Sequence, residues 1–88
     1  MRRIMNARIR YVNKDNKLFS VSDIVSEKGS KYLVMIDLET RTYVIKNLLS
    51  HRNYVGGQNI NNMNVLKRTV KKHLQMLGVK FNKEIRHR

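Results

Sequence analysis

The chain reads as an α+β domain: three or four antiparallel strands in a meander, followed by one C-terminal amphipathic helix packed on the sheet. Three features predict it. Apolar residues alternate with polar ones through the first half, a polar Gly- and Asn-rich stretch breaks the pattern at 48–62, and an apolar period near 3.6 runs from Leu66 to Leu77. At 88 residues there is room for one small core, so the expected organisation is a meander over 1–47, a loop over 48–62, a helix over 63–78 and a basic tail over 79–88.

From Ile4 to Val12, Ala7, Ile9 and Tyr11 fall on one face and Arg8 and Arg10 on the other, as in a half-buried strand. Asn13 to Asn16 are turn formers. Leu18 to Val25 is a second strand candidate, weakened by Ser20, Ser22 and Asp23, where a helical turn is the alternative. The strongest strand is Lys31 to Ile36, in which Tyr32, Val34 and Ile36 alternate with Leu33 and Met35, so both faces are apolar and the strand is expected to be central. Asp37 to Arg41 reads as a hairpin loop, with Asp37 accepting backbone N–H bonds and Arg41 as the left-handed residue, returning into Thr42 to Lys46. A helix then begins near Asn62 or Asn64, either of which can cap it, and Gly78 ends it as the C′ residue with Val79 reaching back to Leu74. Phe81, Lys83 and Ile85 alternate, so the tail either adds an edge strand or frays. One helix covers one face of the sheet; a homodimer, a partner protein or the N-terminal segment would have to cover the other.

Charge is the outlying property. Nineteen Lys and Arg against six Asp and Glu give a net charge of +13, where a net charge of roughly 2 to 8 keeps a small domain soluble. The excess adds self-repulsion that an anionic partner would relieve. The composition excludes other classes. There is no Cys for disulfides or thiolate metal sites, no apolar run near the roughly 20 residues of a membrane span, and no apolar region behind Met1-Arg2-Arg3 of the kind a signal peptide needs. The expected setting is cytoplasmic, away from any membrane. A hydrophobic content of 41% argues against full disorder.

Three segments are candidates for the anionic contact. Lys67, Arg68, Lys71 and Lys72 make a contiguous basic helix face, and from Asn62 to Lys83 there is no carboxylate. A solvated helix exterior also carries charge, but it mixes Glu with Lys; here Lys67/Lys71 and Arg68/Lys72 repel by about 0.2–0.5 kcal/mol each until an anion reverses the sign. Arg8 and Arg10 project together from the first strand, suited either to phosphates and guanine edges or to protecting an exposed edge. Arg52 and Tyr54 lie in the 48–62 loop, where Tyr54 could stack on an unpaired base, or the segment could be a flexible linker. No catalytic arrangement is legible: His51, His73 and His87 lack metal-ligand spacing, Ser50-His51 has no carboxylate to orient it, and the six acids form no pair. No cofactor or metal is expected.

The order of strands followed by a C-terminal helix is similar to that of ribbon-type DNA-binding modules such as the AP2-like and integrase arm-binding domains, in which the sheet lies in the major groove. The resemblance is one of topology and transfers no residue. Small size and high Lys, Arg and Asn content also resemble many phage-encoded accessory proteins. The expected function is non-enzymatic binding of DNA or RNA through Lys and Arg contacts to phosphate. The alternative is an inhibitor or accessory protein whose basic face docks on an acidic protein surface.

Overall fold

The computed structural model describes residues 9–57 and 59–81. The expected contributions of Ala7 and Arg8, and of the alternation through Lys83 and Ile85, lie outside the described residues. Within them the class is α+β, an antiparallel sheet followed by a C-terminal helix. The sheet has six strands, not three or four. They are β1 (Tyr11–Lys14), β2 (Lys17–Ser20), β3 (Ile24–Val25), β4 (Lys31–Asp37), β5 (Thr42–Asn47) and β6 (Asn53–Gly56), and α1 spans Met63–Met76.

Local turn chemistry accounts for most of the difference in count. The first strand runs on through Lys14, because Asp15 and Asn16 alone take the left-handed conformation (φ 54° and 64°) and Lys14 pairs with Lys17. Two consecutive left-handed residues make the two-residue hairpin whose twist matches its strands, and Asp and Asn tolerate that geometry. The expected Leu18–Val25 strand is broken in two. β2 and β3 both pair with β4, β2 along Met35–Asp37 and β3 along Lys31–Tyr32, and the serines between them bond to backbone. Ser20 Oγ accepts from the Val34 N–H at 2.9 Å and Ser22 Oγ from the Arg10 N–H at 2.9 Å, so side chains replace the ladder where it is interrupted.

The expected 48–62 loop is for its first part a second hairpin. At the β4–β5 turn, Asp37 Oδ1 accepts from the N–H groups of Glu39 and Thr40, Arg41 is left-handed (φ 60°), and its N–H returns to the Asp37 carbonyl. The β5–β6 turn repeats this arrangement ten residues on: Asn47 Oδ1 accepts from Leu49 and Ser50, His51 is left-handed (φ 66°), and its N–H returns to the Asn47 carbonyl. The chain therefore re-enters the sheet as β6, with Tyr54 opposite Ile45 and Val55 opposite Val44. Gly56 sits opposite Tyr43, where an added Cβ would stand 2.5 Å from the Tyr43 hydroxyl.

Pairing order in the sheet is β1-β2-β4-β5-β6, with β3 beside β4. Tyr32, Val34 and Ile36 of β4 and Tyr43 and Ile45 of β5 are buried on the inner face. They share one cluster with Leu66, Val70 and Leu74 of α1, whose spacing puts them on one stripe. Each such side chain contributes about 1.5–3 kcal/mol when fully removed from water. Asn62 caps the helix through Oδ1, accepting from Asn64 and Val65. At the other end Gly78 is left-handed (φ 100°), its N–H bonds to the Gln75 carbonyl and the Val79 N–H bonds to the Leu74 carbonyl, which is the Schellman arrangement.

Contacts beyond the core fix the helix in place. Arg41 donates to the Asn61 carbonyl at 2.8 Å just ahead of it. His73 Nδ1 and the Tyr43 hydroxyl are hydrogen-bonded at 2.8 Å in its last turn. Past its end, Val79 bridges Ser26, and the Glu27 N–H donates to the Gly78 carbonyl.

Truncating the shared core should be costly. Leu66→Ala and Leu74→Ala are each expected to lower unfolding free energy by about 2–5 kcal/mol in urea titrations followed by circular dichroism, whereas Val55→Ala, at an exposed site on the other face, should change it by less than about 1 kcal/mol.

Candidate nucleic-acid interface

Arg10 and the basic helix face meet across one groove of about 550 Å³. Ile9 and Tyr11, leading into and opening β1, form its apolar floor; Arg10 stands on one side, and Asn64, Lys67, Arg68 and Lys71 of α1 on the other. The position of each follows from local structure. The Arg10 backbone is held on both sides, its N–H donating to Ser22 Oγ and its carbonyl accepting from the Val21 N–H at 2.8 Å, so the segment ahead of β1 is fixed before the strand begins. On the helix, Lys67 and Lys71 lie one turn apart at the margin of the buried stripe, and Arg68 lies further out.

Two of the four cations are set against aromatic rings. The Lys67 ammonium lies 5.6 Å from the centre of the Tyr11 ring, and the Lys71 ammonium 5.3 Å from that of Phe81. Such contacts contribute about 0.5–1 kcal/mol at exposed sites and restrict where the amine can go. Among the described residues no carboxylate lines the groove. Of the described acids, Asp37 is engaged in its turn, and Glu27 pairs with Lys80 at 2.9 Å, the one ion pair among the described residues. The two backbone N–H bonds from Thr40 and Glu39, with nearby Lys17, hold the Asp37 carboxyl below its usual range.

The Tyr11 hydroxyl is buried beneath the groove and, among the described residues, has no hydrogen-bond partner. Burial pushes its pKa up to about 12.

The other sequence candidates fall elsewhere. Lys72 is exposed on α1 but turned away from the groove. Arg52 is exposed in the β5–β6 turn, at the end of the sheet order remote from β1. Tyr54 is not a loop residue free to stack on a base. It belongs to β6, packs against the core, and meets His73 edge-on with ring centres 5.6 Å apart. Its spacing with Ile45 across the hairpin sets it inward. Arg8 lies outside the described residues. Conversely, Tyr11, Asn64 and Phe81 enter the site without having been singled out for it; Lys67 and Lys71, each directly after a residue of the apolar stripe, were the available hint. The remaining positive charge, at Lys14, Lys17, Lys28, Lys31, Arg41 and Lys46, is spread over the sheet and its turns.

Among the described residues no group of three or more His, Cys, Asp and Glu is placed to hold a metal, and no helix is long and apolar enough to cross a membrane. Comparison with protein-family models, curated proteins and solved structures finds no match.

The phenol has a pH signature. Its folded-state pKa lies above the unfolded value, so the unfolded chain loses this proton first and stability contributed by the neutral phenol falls as pH rises from about 10 to about 12. Tyr11→Phe should flatten that part of the stability-versus-pH curve relative to wild type and leave stability at pH 7 equal or higher, since it removes an unpartnered buried hydroxyl; urea titrations across that range check both.

Proposed function

We propose that the chain is a non-enzymatic nucleic-acid-binding protein that takes hold of a phosphate backbone in the groove between Arg10 and α1. The observation that carries this reading is that Arg10, Lys67, Arg68 and Lys71 line one groove, with no carboxylate beside them among the described residues. Four cations so placed repel one another, and a chain of phosphates is the anion whose repeated charges can neutralise several at once. Arg68 and Arg10 offer forks suited to phosphate oxygens, while Lys67 and Lys71 supply compact charges steadied by the rings of Tyr11 and Phe81. Asn64 adds a neutral donor at the helix start. The helix that presents three of these cations is tied to the rest of the fold at both ends, so the charges meet the ligand with little ordering left to do.

The chemistry is that of backbone contact. The groove offers neither a free aromatic face nor a row of amides for reading base edges, so affinity should depend on salt far more than on sequence.

Mobility-shift titrations over a range of salt concentrations test this. With four phosphate contacts, log affinity should fall against log salt with a slope of about −3.6 on duplex DNA, or about −2.8 on single strands. Lys67→Glu/Lys71→Glu should weaken binding by well over tenfold, whereas Lys31→Glu/Lys46→Glu, the same change in net charge made away from the groove, should weaken it severalfold at most. Equal losses in the two double variants would mean that net charge alone, and not this groove, carries the binding. No shift of any duplex, single strand or structured RNA at low salt would remove the reading altogether.

A further inference from the structure

The face of the sheet turned away from α1 carries a continuous apolar row. Val12 pairs with Phe19, Phe19 with Met35, Met35 with Val44 and Val44 with Val55, so five strands each place one apolar side chain in a single line. With strands about 4.8 Å apart the line is about 19 Å long. Its ends are open to solvent, Val12 being 49% and Val55 64% exposed. Strand pairing does not require this composition, since Thr satisfies the same backbone preference and presents a hydroxyl to water. Beside the row, at the break between β2 and β3, is a depression of about 220 Å³ whose apolar wall is Val21, Val25, Leu33 and Leu48, with Lys31 and Asp23 both bordering it. Val21, Val25 and Leu48 are each 44–50% exposed.

The charge flanking the row is mainly positive, Asp23 in the depression and Asp37 on one flank being the carboxylates beside it. The line of pairs on one flank starts with Lys14 and Lys17, and that on the other contains Lys46 opposite Leu33. The single carboxylate on the first flank, Asp37, is occupied by its own turn. A second copy of the chain placed face to face would bring two lysine rims together. The chain's own ends are no better suited, carrying Arg2, Arg3, Arg8, Lys83, Arg86 and Arg88 against Glu84 alone. Nucleic acid would find one aromatic ring among aliphatic side chains, which is a poor platform for stacking.

We propose that this outer face docks an acidic amphipathic segment of a partner protein, its apolar side chains on the Val12–Val55 line, one of them anchored in the depression at the strand break, and its carboxylates over the flanking lysines. A helix of about 13 residues spans the line at 1.5 Å per residue. This surface is separate from the groove and does not rest on the nucleic-acid reading.

The probes are two helical peptides of about 15 residues with the same leucine stripe, one carrying Glu and the other Lys at its polar positions, with binding followed by fluorescence anisotropy against the full chain. The Glu peptide should bind and the Lys peptide should not. Met35→Gln/Val55→Ser and Lys17→Glu/Lys46→Glu should each weaken the Glu peptide about tenfold or more, with folding checked by circular dichroism, while Lys67→Ala/Lys71→Ala should leave it unchanged. The proposal is overturned if the groove pair abolishes peptide binding and the outer-face variants do not, if both peptides bind alike, or if the free chain sediments as a dimer that Met35→Gln/Val55→Ser converts to monomer, which would make a second copy the occupant.

Discussion

Everything on the functional side of this molecule depends on one layer of apolar contact: Leu66, Val70 and Leu74 of the helix in one buried cluster with Val34, Ile36 and Ile45 of the two longest strands. These six side chains are the largest fully buried ones among the described residues. In a domain this small, few other contacts can hold a helix against a sheet. Because that stripe faces inward, Lys67 and Lys71 at its margin are carried to the β1 side, where Arg10 stands. The groove is thus a by-product of how the core is filled.

Electrostatics works against that arrangement in the free protein. Cations gather along a helix that has no acidic residue in its first turn and, among the described residues, no carboxylate lining the groove. The fold tolerates this because, apart from the Arg41 bond to the Asn61 carbonyl, the helix is tied down by uncharged means: an Asn cap, the Gly78 ending, the Tyr43–His73 hydrogen bond and the Val79–Ser26 bridge. Neutral hydrogen bonds and apolar packing respond weakly to salt, whereas phosphate contacts respond strongly. On the proposed function, a surface held by one kind of force and engaged by the other would keep its shape while its charge is neutralised.

Much of the fold is legible residue by residue. Asn62 and Gly78 mark the helix ends, the 3.6-residue period marks its buried stripe, and alternation through Tyr32, Val34 and Ile36 marks the inner face of β4. The errors came where a local signal was read too broadly. Asn13 to Asn16 are all turn formers, yet only Asp15 and Asn16 turn, because register with β2 continues the ladder through Lys14. Asn47 and His51 repeat the spacing of Asp37 and Arg41, a sign of a second hairpin hidden by the polar composition around it, and missing it turned Tyr54 from a strand residue into a loop residue. The site was legible in part: the basic helix face is visible in sequence, but not the partition that brings Lys67, Arg68 and Lys71 to the groove and leaves Lys72 outside it.

The sequence by itself determined what short-range forces decide: which segments are extended or helical, where most of them turn, which stripe of the helix is apolar, and that positive charge far exceeds negative. Tertiary structure alone decided which of those charges become neighbours, that Tyr11 and Phe81 lie under two of them, and that five strands align Val12, Phe19, Met35, Val44 and Val55 in one row. The physical reason is range. Caps, turns and periodicity act over three or four residues, whereas the meeting of Arg10 with Lys67, or of Val12's line with Val55, requires the chain to close on itself around a shared core and is set by register and packing that no local window contains.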